Sequence, residues 1–153
     1  MPDTQQDAKV EALWKCTGHF EPMVPLEDAN LITGFGIEGD RHATETPARK
    51  HRQVLLMDVE TLGVFGLEQG RIRENVTTSG MDIHALKRGT KLALGDEVVL
   101  EITGFCDPCD FIEGIRDGLR EQMTDRRGML THVVQGGTLR RGDAIKVLEG
   151  VEA

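Results

Sequence analysis

The spacing of glycine is the feature that most limits what this chain can fold into. Glycine occurs 18 times in 153 residues and repeatedly separates short apolar segments. Because glycine adopts the left-handed backbone conformations of tight turns, this pattern is typical of strands joined by short connections. Two segments, 59–67 and 111–123, instead carry apolar residues at helical spacing. We therefore predict a mainly β fold, a closed or nearly closed β-barrel with a few peripheral α-helices.

Local patterns place the individual elements along the chain. Asp58 is a predicted N-cap for the helix over 59–67, and residues 83–86 predict a short helical turn. Gly95 and Asp96 predict the turn of a hairpin. Continuous or alternating apolar residues predict strands over 10–16, 52–57, 72–78, 91–94, 98–103, 129–134 and 144–148.

The chain shows neither an internal repeat nor a linker, so one domain is expected. We predict it over 9–149, after a disordered N-terminal lead-in over 1–8 and before a tail over 150–153. The first residues lack the basic and apolar regions of a secretory signal. No apolar run approaches the roughly 20 residues that would span a bilayer. We therefore expect a cytoplasmic protein with no membrane partner.

Charge and cysteine content exclude several classes of function. The formal net charge is −8, which argues against a nucleic-acid partner because such proteins need a basic face. Arginines near glycines suit a small anionic ligand, and ordinary surface arginines paired with acids are the alternative. The three cysteines are too few for a disulfide framework and fit a reducing compartment.

Residues 34–43 form the first candidate ligand-binding segment. Gly39 permits close approach of the backbone, and Asp40, Arg41 and His42 supply an acceptor, a cation and a titratable donor. A Gly-Asp turn followed by exposed charges is the alternative interpretation. The segment is not a nucleotide-binding glycine loop, because no predicted strand–loop–helix unit surrounds it.

Two further segments combine an arginine with polar or glycine neighbours. Arg73 and Asn75 open a predicted strand, where the guanidinium can hold an anion while the amide reads the edge of a heterocycle. Arg127 precedes Gly128 and a predicted strand, and it can complete an anion-binding rim. The alternatives are a polar cluster at a strand edge and a solvated helix C-terminus, where cations complement the helix dipole.

The fourth candidate segment contains the motif Cys106-x-x-Cys109, between a predicted strand and a predicted helix. A thioredoxin-like pair would need a βαβ unit, which the predicted elements do not provide. A thiolate acting on a bound cofactor is a second interpretation, since thiolates are nucleophiles, sulfur carriers and soft-metal ligands. A structural zinc site is the third, and it would need about two further ligands. The candidates for these are Cys16, His19, His42, His51, His84 and His132.

Together these segments resemble the MOSC domain, the C-terminal domain of molybdenum cofactor sulfurase. The opening motif of free-standing members resembles residues 36–42 with 52–56, and the central motif resembles 73–80. The cysteine motif resembles 94–96 with 104–109, and residues 128–145 resemble the closing strands. The resemblance covers residues 9–149, and four modest motifs in the same order make it specific.

The resemblance implies a MOSC-type β-barrel that binds a molybdenum–pterin cofactor or carries sulfur destined for metal centres. In relatives such as the mitochondrial amidoxime-reducing component, the second cysteine of the motif ligates molybdenum, and the enzymes reduce N-hydroxylated compounds. That cysteine is Cys109 here. The cofactor-binding arginine and asparagine of the family fall on Arg73 and Asn75, and its Gly-Asp-Arg turn falls on residues 39–41.

The leading hypothesis is a molybdenum-cofactor-associated protein in which Cys109 ligates molybdenum or carries persulfide sulfur. Its partners would be a small anionic cofactor and a sulfur-donor or redox protein, and no structural metal is expected. Larger family members have an extra N-terminal domain that helps hold the pterin, and we expect none in this chain. A non-catalytic sulfur-carrier or pterin- or anion-binding module is therefore the alternative. The cofactor-binding set would be Gly39, Asp40, Arg41, His42, Arg73, Asn75 and Arg127.

Overall fold

The computed structural model describes residues 8–18 and 21–148. The predicted lead-in, apart from Ala8, and the predicted tail lie outside these ranges. Ala8 is buried, and its carbonyl accepts a hydrogen bond from the backbone N–H of Ile145. Among the described residues, no helix is long and apolar enough to cross a membrane.

Strands dominate the part of the chain that the structure describes, and the helices are short. The helices are α1 (Val59–Val64), α2 (Asp110–Ile115) and α3 (Leu119–Gln122), with 3-10 turns at Lys50–Arg52 and Ile83–Ala85. The strands are β1 (Lys9–Lys15), β2 (Val24–Leu26), β3 (Asp28–Ile32), β4 (Gly36–Ile37), β5 (Val54–Asp58), β6 (Val76–Ser79), β7 (Lys91–Leu94), β8 (Val98–Phe105), β9 (Met129–Gln135), β10 (Gly137–Arg140) and β11 (Ile145–Val147).

The strands form one large sheet and one small sheet. The large sheet has the order β11-β7-β8-β9-β5-β6-β1-β2, and the small one has the order β10-β3-β4. No strand ladder among the described residues closes the large sheet, although an isolated bridge joins Lys9 to Ala144. The mainly β fold with few helices is therefore confirmed, whereas closure into a barrel is not.

One pair of strands in the large sheet, β5 and β6, runs parallel. The chain crosses from one to the other through α1, which makes a βαβ unit because parallel neighbours require such a crossover. No βαβ unit was predicted from the sequence, and this was wrong. The Cys106-x-x-Cys109 motif nevertheless lies outside the unit, between β8 and α2.

Strand β5 is the centre of the fold because both of its faces are buried, as its continuous apolar residues predict. Val54 and Leu56 pack into the main core between the strands. Leu55 and Met57 point to the opposite face and pack with residues of α1, α2 and α3. This alternation follows from the two-residue period of a strand.

The single helix predicted over 111–123 is two helices, α2 and α3. The helix ends at Arg116, whose backbone is extended, and α3 begins after Gly118, whose φ of +84° is a conformation that glycine adopts without strain. The carboxylate of Glu113 accepts hydrogen bonds from the backbone N–H groups of Gly118 (2.8 Å) and Arg120 (3.1 Å). These bonds lower the pKa of Glu113 and hold the break in place.

Candidate functional site

A cleft of about 680 Å³ lies beside β5 and β9, where the segments between strands converge. This volume is within the usual range for small-molecule sites. Its lining includes six of the predicted site residues: Arg41, His42, Arg73, Asn75, Arg127 and Cys109. The other lining residues are Arg52, Leu55, Cys106, Asp110, Phe111 and Leu130.

Positive charge is concentrated in this cleft although the protein as a whole is acidic. Four arginines, Arg41, Arg52, Arg73 and Arg127, line it against one acid, Asp110. Converging guanidinium groups suit a phosphate or carboxylate because their planar donors match these anions. The cleft is therefore a candidate site for a small anionic ligand.

Arg127 is a buried cation, and two of its donor atoms have no partner in the described protein. The residue is 6% exposed, and neither Nε nor Nη1 has a hydrogen-bond partner. Burial raises the pKa of the Glu74 carboxyl. Its hydrogen bonds from Gly70 and Thr77 and the charge of Arg127 lower that pKa, but burial is the larger effect. Unsatisfied buried donors are costly. This arrangement favours an external anion as the partner of Arg127.

The position of Arg127 depends on the following residue, Gly128. Gly128 has φ of +115°, and a Cβ atom added to it would lie 2.7 Å from the backbone oxygen of Leu56. Only glycine fits this close approach to β5 without strain. Its backbone N–H donates to Nε2 of His84 at 2.9 Å, and its carbonyl accepts from the backbone N–H of Cys106.

Arg73 lies in a turn and not, as predicted, at the beginning of a strand. Its φ of +69° is in the left-handed region, so β6 begins only at Val76. The guanidinium donates to the backbone oxygens of Glu21 and Gly18 and to Sγ of Cys16. The turn and these contacts hold the half-buried guanidinium of Arg73 at the cleft.

Asn75 is buried, and its amide joins neighbouring segments within the protein. Oδ1 accepts from the backbone N–H of Leu55 at 3.0 Å. Nδ2 donates to the backbone oxygen of Trp14 at 3.3 Å and to Oδ1 of Asp40 at 3.1 Å. Both amide donors are therefore used inside the protein, and the predicted contact with a heterocycle edge has no free N–H group.

Asp40 supports the turn that carries Arg41 and His42 to the cleft. Its buried carboxylate accepts hydrogen bonds from the backbone N–H groups of Cys16 (2.6 Å) and His42 (3.0 Å). Nδ1 of His42 lies 3.5 Å from Oδ2 of Asp40. Gly39, with φ of +86°, permits the turn but does not line the cleft. Asp40 and Gly39 thus shape the site without lining it.

The cysteines at the cleft are unpaired thiols with different exposure. Cys106 is buried, and Cys109 is exposed at the N-cap position of α2. No group of three or more His, Cys, Asp or Glu residues suitable for a metal ion occurs among the described residues. His19, one candidate ligand for zinc, lies outside them. The described residues therefore offer no support for the zinc interpretation.

Arg52 and Phe111 are among the lining residues that sequence reasoning did not assign to the site. Arg52 ends the 3-10 turn before β5, which begins at Val54 and not, as predicted, at residue 52; its signal was an arginine next to a buried strand. Phe111 was assigned to the apolar stripe of a helix, but it is 39% exposed. The guanidinium carbons of Arg71 and Arg73 lie 5.9 and 5.6 Å from the centre of its ring, which places an aromatic surface beside the cations.

Comparison with known families identifies the chain as a member of the MOSC domain family. The family profile matches residues 44–146, so the resemblance seen in the motifs is confirmed. The Gly39–Asp40–Arg41 turn lies before the matched range. No curated protein matches the chain.

Solved structures show the same fold at low sequence identity. The YuaD protein from Bacillus subtilis superposes with a TM-score of 0.78 at 22% identity, over 94% of this chain and 97% of that protein. YiiM from Geobacillus stearothermophilus gives 0.75 at 12% identity, over 93% and 75% of the two chains. YiiM from Escherichia coli gives 0.70 at 16% identity, over 99% and 73%.

Proposed function

We propose that this protein binds a molybdenum–pterin cofactor in the arginine-lined cleft, with Cys109 as the molybdenum ligand. The observation that carries the proposal is the unsatisfied, buried guanidinium of Arg127 in the same cleft as the exposed thiol of Cys109. An anionic ligand with a soft centre would satisfy both groups at once, because phosphate pairs with guanidinium and molybdenum with thiolate.

The lining residues divide into groups that bind and groups that orient. Arg127 and Arg73 would hold the pterin phosphate, while Arg41 and Arg52 add positive charge at the same cleft. Asp40 and Asn75 keep the turn of Arg41 in place through their internal hydrogen bonds. The ring of Phe111 supplies an apolar surface for a planar ligand.

The reaction class that we propose is two-electron reduction of the N–O bond in an N-hydroxylated compound. When bound, the cofactor would supply the oxidation–reduction chemistry, and a redox partner protein would supply two electrons. Two protons are also consumed, because the products are an amine and water. His42 can hold one of these protons on its imidazole beside Oδ2 of Asp40. We further propose a cytoplasmic location, which the free thiols support.

A second candidate function is sulfur transfer without catalysis at molybdenum. Cys109 would carry a persulfide sulfur received from a sulfur-donor protein. The exposure of Cys109 favours this function, and the free thiol of Cys106 on the same cleft adds a second sulfur acceptor. The arginines would then bind an anionic acceptor of the sulfur, such as a pterin, during assembly of a cofactor or metal–sulfur cluster.

Cys109→Ser is expected to lower molybdenum and pterin loading by at least about tenfold, because the hydroxyl is a poor ligand for a soft metal. The measurement is elemental and pterin analysis of protein purified from a host that makes molybdenum cofactor. Cys106→Ser is the matched control, since it removes the other thiol of the cleft, and it should retain near-normal loading.

The same preparations separate the two candidate functions. Sulfane sulfur without molybdenum, lost in Cys109→Ser, would replace the cofactor proposal by sulfur transfer. Full molybdenum loading of Cys109→Ser would contradict the role of this thiol as ligand. Turnover of an N-hydroxylated compound by the loaded protein would support the reductase and argue against a carrier.

A further inference from the structure

Behind the cleft, a buried aspartate and histidine face each other. The side chain of His84 is 9% exposed, and its Nδ1 lies 3.5 Å from Oδ1 of Asp58. Neither of these two atoms has a hydrogen-bond partner. The other oxygen of Asp58 accepts from the backbone N–H and the hydroxyl of Thr61 at the start of α1. The carboxylate therefore has a fixed orientation toward the imidazole.

The hydrogen bond at the other nitrogen of His84 determines where the ring proton lies. Nε2 is 2.9 Å from the backbone nitrogen of Gly128, and a backbone N–H can only donate. Nε2 must therefore be the unprotonated acceptor, and the single proton of the neutral ring is on Nδ1, facing Asp58. A doubly protonated ring has no acceptor and would lose the bond to Gly128.

Gly128 connects this histidine to the lining of the cleft. It directly follows Arg127, and its carbonyl accepts a hydrogen bond from the backbone N–H of Cys106. Its close approach to Leu56 leaves little room for the backbone to move toward β5. A change in the bond between His84 and Gly128 is therefore transmitted to the peptide that carries Arg127.

We propose that His84 is a positioning residue of the anion site, in which the neutral imidazole holds the Arg127–Gly128 peptide and the protonated imidazole releases it. The inference rests on the anion-binding role of Arg127 in the proposed function. It adds that anion affinity falls on acidification through a residue that does not touch the ligand.

The surroundings of His84 favour the neutral ring. Burial is the main cause that lowers the pKa of His84, and the charge of Arg126 acts in the same direction. The charges of Asp58 and Asp82 act in the opposite direction, and the ring of Phe105 stacks on the imidazole. Because the folded pKa lies below the ordinary value of about 6.5, the unfolded chain takes up the proton first. The free energy of unfolding therefore decreases as the pH falls from about 6.5 toward the lower pKa of His84 in the folded protein.

The test measures sulfate binding to the full chain between pH 8 and pH 5.5, because sulfate itself does not titrate there. His84→Gln is the test variant, since its amide oxygen can accept from Gly128 but does not titrate. His132→Gln is the control, because His132 faces Glu101 on the sheet and does not line the cleft. The ratio of affinities between wild type and His84→Gln removes the contribution of His42, which both proteins share.

We expect wild type and His84→Gln to bind sulfate similarly at pH 8. At pH 5.5 the wild type should bind more weakly than the variant, and the loss should approach about tenfold, the effect of one hydrogen bond, once His84 is fully protonated. The chemical shift of the Gly128 amide should change with the titration of His84 in the wild type and in the His132→Gln variant. It should not change in this way in the His84→Gln variant. A constant affinity ratio, or a Gly128 amide shift that does not change as His84 titrates, would overturn the role of His84 but leave the anion site in place. Absence of sulfate binding at pH 8 would overturn the anion site as well.

Discussion

Arg127→Met is expected to weaken sulfate binding by roughly 100-fold and to raise the free energy of unfolding by about 1–2 kcal/mol. The buried guanidinium of Arg127 lacks partners for Nε and Nη1, so an apolar side chain of similar length removes a desolvation penalty. Oε2 of Glu74 keeps its hydrogen bonds from Gly70 and Thr77, but Glu74 loses the favourable charge of Arg127, which offsets part of this gain. Sulfate titration and urea denaturation measure the two effects.

Arg126→Met is the matched control for this prediction. Arg126 is exposed, and its guanidinium carbon lies 5.6 Å from the centre of the Phe65 ring. We expect a stability change below about 1 kcal/mol and little change in sulfate affinity. Strong destabilisation by Arg127→Met together with unchanged sulfate binding would mean that Arg127 has a structural role, and the anion site would have to be abandoned.

Asn75→Asp is expected to lower the free energy of unfolding by about 3–5 kcal/mol near neutral pH. The substitution removes both amide donors, which now bind the oxygens of Trp14 and Asp40. It also places a second carboxylate against buried Asp40. Repulsion raises the pKa of the introduced carboxyl above its unfolded value. The difference from wild type should therefore grow as the pH rises through that pKa and shrink in acid.

Asn30→Asp is the control for this substitution, because Nδ2 of Asn30 also donates to a carboxylate, that of Glu38 at 3.4 Å. Asn30 and Glu38 are both exposed, so water screens the new charge and we expect a loss below about 1 kcal/mol. Urea denaturation of both variants between pH 5 and pH 8 tests the prediction. Equal effects of the two substitutions would show that burial of Asn75 does not matter.

Elements with strong local signals were predicted closely from sequence. The strand predicted over 10–16 is β1, and the hairpin predicted around Gly95 is β7 and β8. Asp58 caps α1 as expected, since its carboxylate accepts from the backbone N–H of Thr61. These features depend on residues close together in the chain, where apolar period, turn residues and caps act directly.

Elements that depend on distant partners were missed or misplaced. Neither β3 nor β10 was predicted from the sequence, and these two strands pair with each other although more than 100 residues separate them. Arg73 was predicted at the beginning of a strand, whereas it lies in a left-handed turn and donates hydrogen bonds to the backbone oxygens of Gly18 and Glu21. Short strands with polar residues have weak patterns, and their pairing partners decide whether they form.

The sequence by itself determined that the fold is mainly β, that the protein belongs to the MOSC family, and which types of residue form the site. These features could be recognised because glycine spacing, apolar periods and short motifs are local. The sequence could not determine which of those residues have free donors. Only the tertiary structure showed that Asn75 uses both of its amide donors internally, whereas Arg127 is buried with unsatisfied donors. The physical reason is that hydrogen-bond satisfaction and desolvation depend on atoms from distant segments, which meet only in the folded chain.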